Sequence, residues 1–294
     1  QINLKPNFFI IGAPKCGTTS LHEYLKHHSC IVMSEPKEPH YFSTDISNGG
    51  FREYSEYLKC FPIEKSDSVV IGESSTLYLY SRIAVKKTLN FNPEAKYIVM
   101  LRSPLEIARS FHQVSLKVFG ETETDFSSAW FLQEARKKGY KLPISCVDKQ
   151  LLIYGEIAKI GMQVERLLSI IHIDKIHFIF FDDFKNSTKN EYLKVLKFLN
   201  VKIEEFPNFK TYNSTKKIKN PMVTKVTNQA VAFKKTIGLK SSLGLAKKIH
   251  EKNIEKKPLD KLPSKIISEM ESFFKEDINL LSKLLDKNLS SWRR

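Results

Sequence analysis

Apolar and polar positions fall into short blocks along this chain. FFII at 8–11 is an unbroken apolar run that ends in glycine, and from 18 to 28 the period changes, placing Leu21, Tyr24, Leu25 and His28 on one helical face. Three more apolar runs predict strands. They are 69–71, ending at Gly72-Glu73; 96–101 (KYIVML), ending at Arg102-Ser103-Pro104; and 176–181 (IHFIFF), closed by Asp182-Asp183. Helical period fills 105–119, where proline stands near the first turn, and returns at 191–199.

Short apolar strands separated by helical stretches imply an α/β fold, P-loop-like, with a mostly parallel sheet and helices on both faces. Ligands in such sheets bind beyond the carboxyl ends of the strands. Lys15, Glu73 and Arg102 all fall at such ends. With no internal repeat, low-complexity tract or obvious linker, one domain over 1–294 is expected.

The first strand opens into GAPKCGTTS. Gly12 and Gly17 keep the spacing of the phosphate loop G-x-x-x-x-G-K-[ST], but Thr18 stands where its lysine belongs and the cation has moved inside, to Lys15. Backbone N–H groups of such a loop, with the first turn of its helix, bind phosphate oxygens without side-chain charge. Lys15, Thr18, Thr19 and Ser20 add donors. A triphosphatase also needs Mg²⁺, held by the loop threonine and an aspartate that ends a later strand. The strand at 96–101 ends instead in arginine, which leaves Asp182 and Asp183 as the candidate metal pair of a rival kinase or triphosphatase reading.

Charge narrows the partners. The chain carries a formal +15, and between 210 and 265 fifteen lysines face only Glu251, Glu255 and Asp260. Such a block suits an anionic ligand or a solvated face, and no nucleic-acid signature accompanies it. Nucleic acid is therefore not an expected partner. No stretch approaches the roughly 20 apolar residues of a membrane span. Cys16, Cys30, Cys60 and Cys146 lack metal-ligand spacing and read as reduced apolar filler, which points to a cytoplasmic setting.

The segment from Ala13 to Ser20 resembles the 5′-phosphosulfate loop of sulfotransferases that use PAPS, 3′-phosphoadenosine 5′-phosphosulfate. The resemblance implies that Lys15 approaches the oxygen bridging to sulfate, that Cys16, Gly17, Thr18, Thr19 and Ser20 line the cofactor, that PAP is the product, and that no metal is required. A second family signature is a strand ending in arginine with a serine eight residues on, gripping the 3′-phosphate. Here YIVMLRSPLEIARSFH supplies Arg102 and Ser110. Tyr154-Gly155 with its following helix, IHFIFFDDF, KFLNV and NLLSKLLDKNLSSW are similar to the middle and close of the family, so the likeness covers nearly the whole chain.

Lys37-Glu38-Pro39-His40-Tyr41-Phe42 resembles the corresponding segment of the glycan and bacterial branch, in which the glutamate is the proposed base. Glu38 is the expected base, with His40 the runner-up; Lys15 serves the leaving phosphate. Many glycan enzymes carry lysine after the glutamate of Gly72-Glu73, where this chain has Ser74. Glu73 itself is expected either to orient an acceptor or to cap the next helix. TYNSTKKIKNP lies where the family covers the 3′-phosphate and adenine, which makes Lys216 and Lys217 candidate contacts. The implied function is sulfuryl transfer from PAPS to a hydroxyl or amine of a small natural product, with an anionic glycan as the alternative acceptor.

Overall fold

The computed structural model describes residues 5–61, 70–210, 217–218, 223, 227, 254–255 and 261–293. The strands are β1 (Phe8–Gly12), β2 (Ile31–Met33), β3 (Val70–Ser74), β4 (Lys96–Leu101), β5 (Ile176–Phe180), β6 (Lys217–Ile218) and β7 (Ile254–Glu255). The helices are α1 (Thr18–Lys26), α2 (Tyr54–Leu58), α3 (Ala84–Phe91), α4 (Pro104–Val114), α5 (Phe126–Phe131), α6 (Gln133–Lys137), α7 (Tyr154–Ala158), α8 (Ile160–Leu168), α9 (Phe181–Asn186), α10 (Thr188–Leu199) and α11 (Ser264–Leu284). They belong to two compact units. The first comprises Gln1–Ser103, Ile160–Asn213 and Asp277–Lys287, the second Pro104–Lys159, Ser214–Glu276 and Asn288–Arg294.

The first unit holds a sheet ordered β2-β3-β1-β4-β5, and every pairing in it is parallel. All five residues of β1 are buried, as are five of the six in β4, which is what unbroken apolar runs require of central parallel strands. Because β1 lies between β3 and β4, the loop after it opens where the strand order reverses, the place such sheets use for ligands. Ala13 N–H donates to Met100 O at 2.7 Å and Leu79 N–H to Ile11 O at 2.8 Å, tying the loop to its neighbours.

The strand limits at 8–11 and 96–101 agree with the apolar pattern, and β5 stops one residue early because Phe181 already begins α9. Two expectations change. β3 runs on through Glu73 and Ser74, so the glutamate sits inside the strand. The helix expected over 105–119 ends at Val114 and continues as a π-turn, Ser115–Phe119, stopped by Gly120 at φ 77°. At the start of that turn Ser115 Oγ reaches two carbonyls, Leu151 O at 3.0 Å and Phe111 O at 3.3 Å.

In the second unit, His112 of α4 packs edge-on against Tyr154 of α7, and Phe126 and Trp130 of α5 close around them. Inside lies a buried fork: Arg136 donates to both Glu121 oxygens at 2.6 and 2.8 Å, and Tyr154 hydroxyl adds a bond of 2.5 Å to one of them. β6 and β7 pair antiparallel. Most of the lysine-rich stretch at 210–265 lies outside the described residues.

Candidate active site

The loop residues meet at the carboxyl end of β1. Gly17 is the N-cap of α1 at φ 90°, a left-handed backbone that glycine adopts without cost, and no side chain caps the helix. The first turn of α1 carries no acid either, so its amides and positive dipole end are open to an anion. A side chain at 17 would meet the Phe181 ring at 3.2 Å, and the same ring supports the Arg102 guanidinium, 4.5 Å from its centroid. Arg102 also donates to Lys15 O at 3.3 Å.

Lys15 has a left-handed backbone as well, at φ 67°. Burial lowers its pKa from the usual lysine value, Glu38 works in the opposite direction, and Arg102 lowers it further. Two cations held against one helix N-terminus make a donor set suited to a strongly anionic group.

A second segment, 38–42, docks on the end of β3. Glu38 N–H donates to Ser74 O at 3.0 Å, His40 N–H to Ser75 Oγ at 2.9 Å and Phe42 N–H to Tyr78 hydroxyl at 3.1 Å. Glu38 and His40 both stand at positive φ, 64° and 50°, so this loop is held in a shape that non-glycine residues avoid. Gly50 backs it, since a Cβ there would come within 2.5 Å of His40 Cβ.

His40 Nε2 lies 3.2 Å from Glu38 Oε2, and Lys37 Nζ pairs with Glu38 Oε1. Partial burial opposes ionisation of Glu38, but Lys37 and His40 outweigh it and hold the carboxyl well below the usual carboxylate range. Glu38 is thus ionised, and it sits close enough to Lys15 for the two charges to act on each other.

A family model described as "Sulfotransferase domain" matches residues 5–282. The chain belongs to the sulfotransferase family. Human carbohydrate sulfotransferase 15 is 26% identical over 251 residues, which cover 68% of this chain and 45% of that protein, so the chain spans less than half the length of this relative. A crystal structure of a sulfotransferase from Alicyclobacillus acidocaldarius matches 99% of this chain and 100% of its own at TM-score 0.73 and 22% identity. Mouse sulfotransferase SULT7A1 complexed with PAP matches 96% of this chain and 88% of its own at TM-score 0.50 and 13% identity. Both structures share the fold.

In the first unit, Lys15, Cys16, Gly17, Thr18, Thr19, Ser20 and Arg102 come together at one end, with Glu38 and His40 beside them. Ser110 is buried on α4 in the second unit, and its pairing with Arg102 remains a reading of the motif. Lys216 lies outside the described residues; Lys217 is placed only through its backbone, in β6 opposite Glu255. Glu73 does neither thing expected of it, because it is wholly buried within β3 and bonded to Tyr57 and Ser75.

Asp183 pairs with Lys287 at 2.7 Å. Among the described residues the grouping spaced for a metal is His28, Cys30 and Glu204, yet His28 Nδ1 accepts from Cys30 N–H at 3.1 Å and Nε2 serves Lys202 O at 2.9 Å, leaving no free lone pair on the ring. All four cysteines are free. Burial pushes the Cys16 thiol up to about 12 and that of Cys60 to about 11, as expected of filler.

Sequence reasoning missed three contributors. Lys37 was visible as the neighbour of Glu38, but its direction was not. Phe181 gave no signal beyond an aromatic at a strand end. His22, buried on α1, is kept neutral: burial, then Lys37 and Lys26, lower its pKa to about 3.

Proposed function

We propose that this chain transfers a sulfuryl group from PAPS to a hydroxyl or amine, with residues 1–294 acting as one catalytic domain. What carries the reading is the meeting of an uncapped, cation-lined anion loop with an ionised carboxylate at one end of the sheet, in a family whose model takes in residues of both units. When bound, PAPS supplies a sulfuryl group joined to a phosphate that leaves as PAP. Lys15 and the amides of α1 would hold that phosphosulfate end, where Lys15 would offset the charge gathering on the leaving oxygen. Ser110 fits the 3′-phosphate with Arg102, and Lys216 and Lys217 fit its cover. Glu38 takes the acceptor proton, while Lys37 and His40 keep its carboxylate ionised and aimed.

A small natural-product acceptor suits the polar but uncharged Ser74, whose hydroxyl is buried with no partner among the described residues. A glycan is the second reading, supported by the likeness to human carbohydrate sulfotransferase 15. A cytoplasmic setting is consistent with four free cysteines. Thermal denaturation with PAP and with ATP, each with and without Mg²⁺, tests the assignment. PAP alone should raise the melting temperature without metal. A larger ATP–Mg²⁺ shift would overturn it in favour of a kinase.

A further inference from the structure

Glu73 is fully buried, yet three hydroxyls converge on it. Ser75 Oγ donates to Oε1 at 2.6 Å, Tyr57 hydroxyl donates to Oε2 at 2.5 Å, and Tyr78 hydroxyl bonds to the same carboxylate. Each of these groups also holds a different residue of the loop that carries Glu38. Ser75 Oγ accepts from His40 N–H, the Tyr57 ring stacks on Tyr41 at 4.5 Å and 14°, and Tyr78 hydroxyl accepts from Phe42 N–H.

We propose that Glu73 is the positioning residue of the base loop, fixing His40, Tyr41 and Phe42 one by one through Ser75, Tyr57 and Tyr78. The inference rests on Glu38 acting as the base; its physical content is the placement of His40 and can be measured without turnover.

Three features favour this over simple core filling. A buried carboxylate is costly to desolvate, and an apolar residue of similar size would avoid that cost, so its retention calls for hydroxyls that need an acceptor. Consecutive residues 40–42 are all tied to one carboxyl group, whose pKa burial raises, and a general packing role does not require that. The loop also stands at positive φ at Glu38 and His40, so it needs an outside hold to stay there. Ser75 fixes the direction of the relay: it gives its proton to Glu73, and its lone pair is therefore turned to His40 N–H. With His40 held, its Nε2–H reaches Glu38 Oε2, while its buried Nδ1 has no partner among the described residues.

Histidine-labelled NMR of the full chain tests this, with a His40→Asn variant identifying the His40 ring among the eight histidines. Glu73→Gln cannot accept all three hydroxyls, and Ser75→Ala cuts the relay at one bond. In both, the His40 ring signals should move. Ser75→Thr should restore the native signature, and PAP affinity should stay within about twofold in all three because the anion loop is untouched. The double variant Glu73→Gln/Ser75→Ala should move His40 no further than Glu73→Gln alone, since both act on one chain of bonds. A folded Ser75→Ala protein with unchanged His40 signals overturns the proposal, even if Glu73→Gln fails to fold. Displaced His40 signals with undiminished turnover in Glu38→Gln would leave the positioning intact and refute Glu38 as the base.

Discussion

Glu38 is gripped from two sides: His40 Nε2 lies 3.2 Å from one carboxylate oxygen and Lys37 Nζ takes the other. The arrangement keeps the carboxylate ionised at neutral pH, but a base with a depressed pKa draws a proton less strongly. The positive charges therefore trade basicity for placement. This pairing also lends stability above the ordinary carboxylate value of 4.5, which is lost as pH falls through the lower folded value.

Removing Lys37 should reverse that trade. In Lys37→Met the apolar stem remains and the charge goes, so the Glu38 pKa rises toward its ordinary value and the acid limb of kcat/KM moves to higher pH. Glu38→Gln should keep PAP binding and lose turnover by about two to four orders of magnitude, the usual worth of a general base. A pH–rate series on both variants checks the pair of outcomes. An acid limb that stays in place in Lys37→Met would show that another group sets it.

Arg102 combines a planar fork, a stack on Phe181 and a bond to Lys15 O, and lysine reproduces none of these in the same geometry. Arg102→Lys should therefore weaken PAP roughly 10-fold or more, because hydrogen bonds to charged groups contribute about 1.5–3 kcal/mol. Arg102→Ala should weaken it further. Calorimetric titration of PAP measures both, and wild-type affinity in the lysine variant would mean that charge alone suffices.

How much of this was legible beforehand follows from what each feature depends on. β4 and the loop from Gly12 to Ser20 were readable because an apolar run and a glycine spacing are local. Glu38 and Arg102 were readable as parts of local motifs. Glu73 was misread, since its role is set by Tyr57, Ser75 and Tyr78, and nothing near 57 announces a partner at 73. β2, Ile31–Met33, was missed: as short as the run at 69–71, it is not followed by a glycine that marks a strand end. His22 lies off the helical face of Leu21, Tyr24, Leu25 and His28 that the pattern marks, and its nearness to Lys37 is purely tertiary.

The Arg136–Glu121 fork in the second unit concerns stability. Arg136 is 1% exposed and Glu121 0%, so deleting one partner leaves a buried charge unpaired. Glu121→Leu should cost about 3–5 kcal/mol in urea denaturation. Burial disfavours the charged Glu121, but bonds from Arg136 and Tyr154 prevail and lower its pKa. Its contribution is thus present above the unfolded carboxylate pKa and lost as pH falls through the folded one. Wild type should lose stability on acidification more steeply than the variant.

Lys15 makes the opposite kind of statement, because its proton is held less tightly in the folded chain than in water. Burial is the main cause, Glu38 opposes it and Arg102 reinforces it, so the free protein sheds the Lys15 proton below the ordinary 10.5. With a folded pKa below the unfolded one, the protonated amine is a strained state, and stability rises with pH between the two values. An anion in the loop favours the charged amine and should raise its pKa. PAP binding should then take up protons from alkaline buffer, and affinity should fall as pH climbs through the lowered Lys15 value, ahead of 10.5. Titrations from neutral to alkaline pH in buffers of different ionisation enthalpy would show both effects. In Lys15→Met the alkaline fall should vanish along with most of the affinity, whereas an unchanged fall would assign the proton to another group.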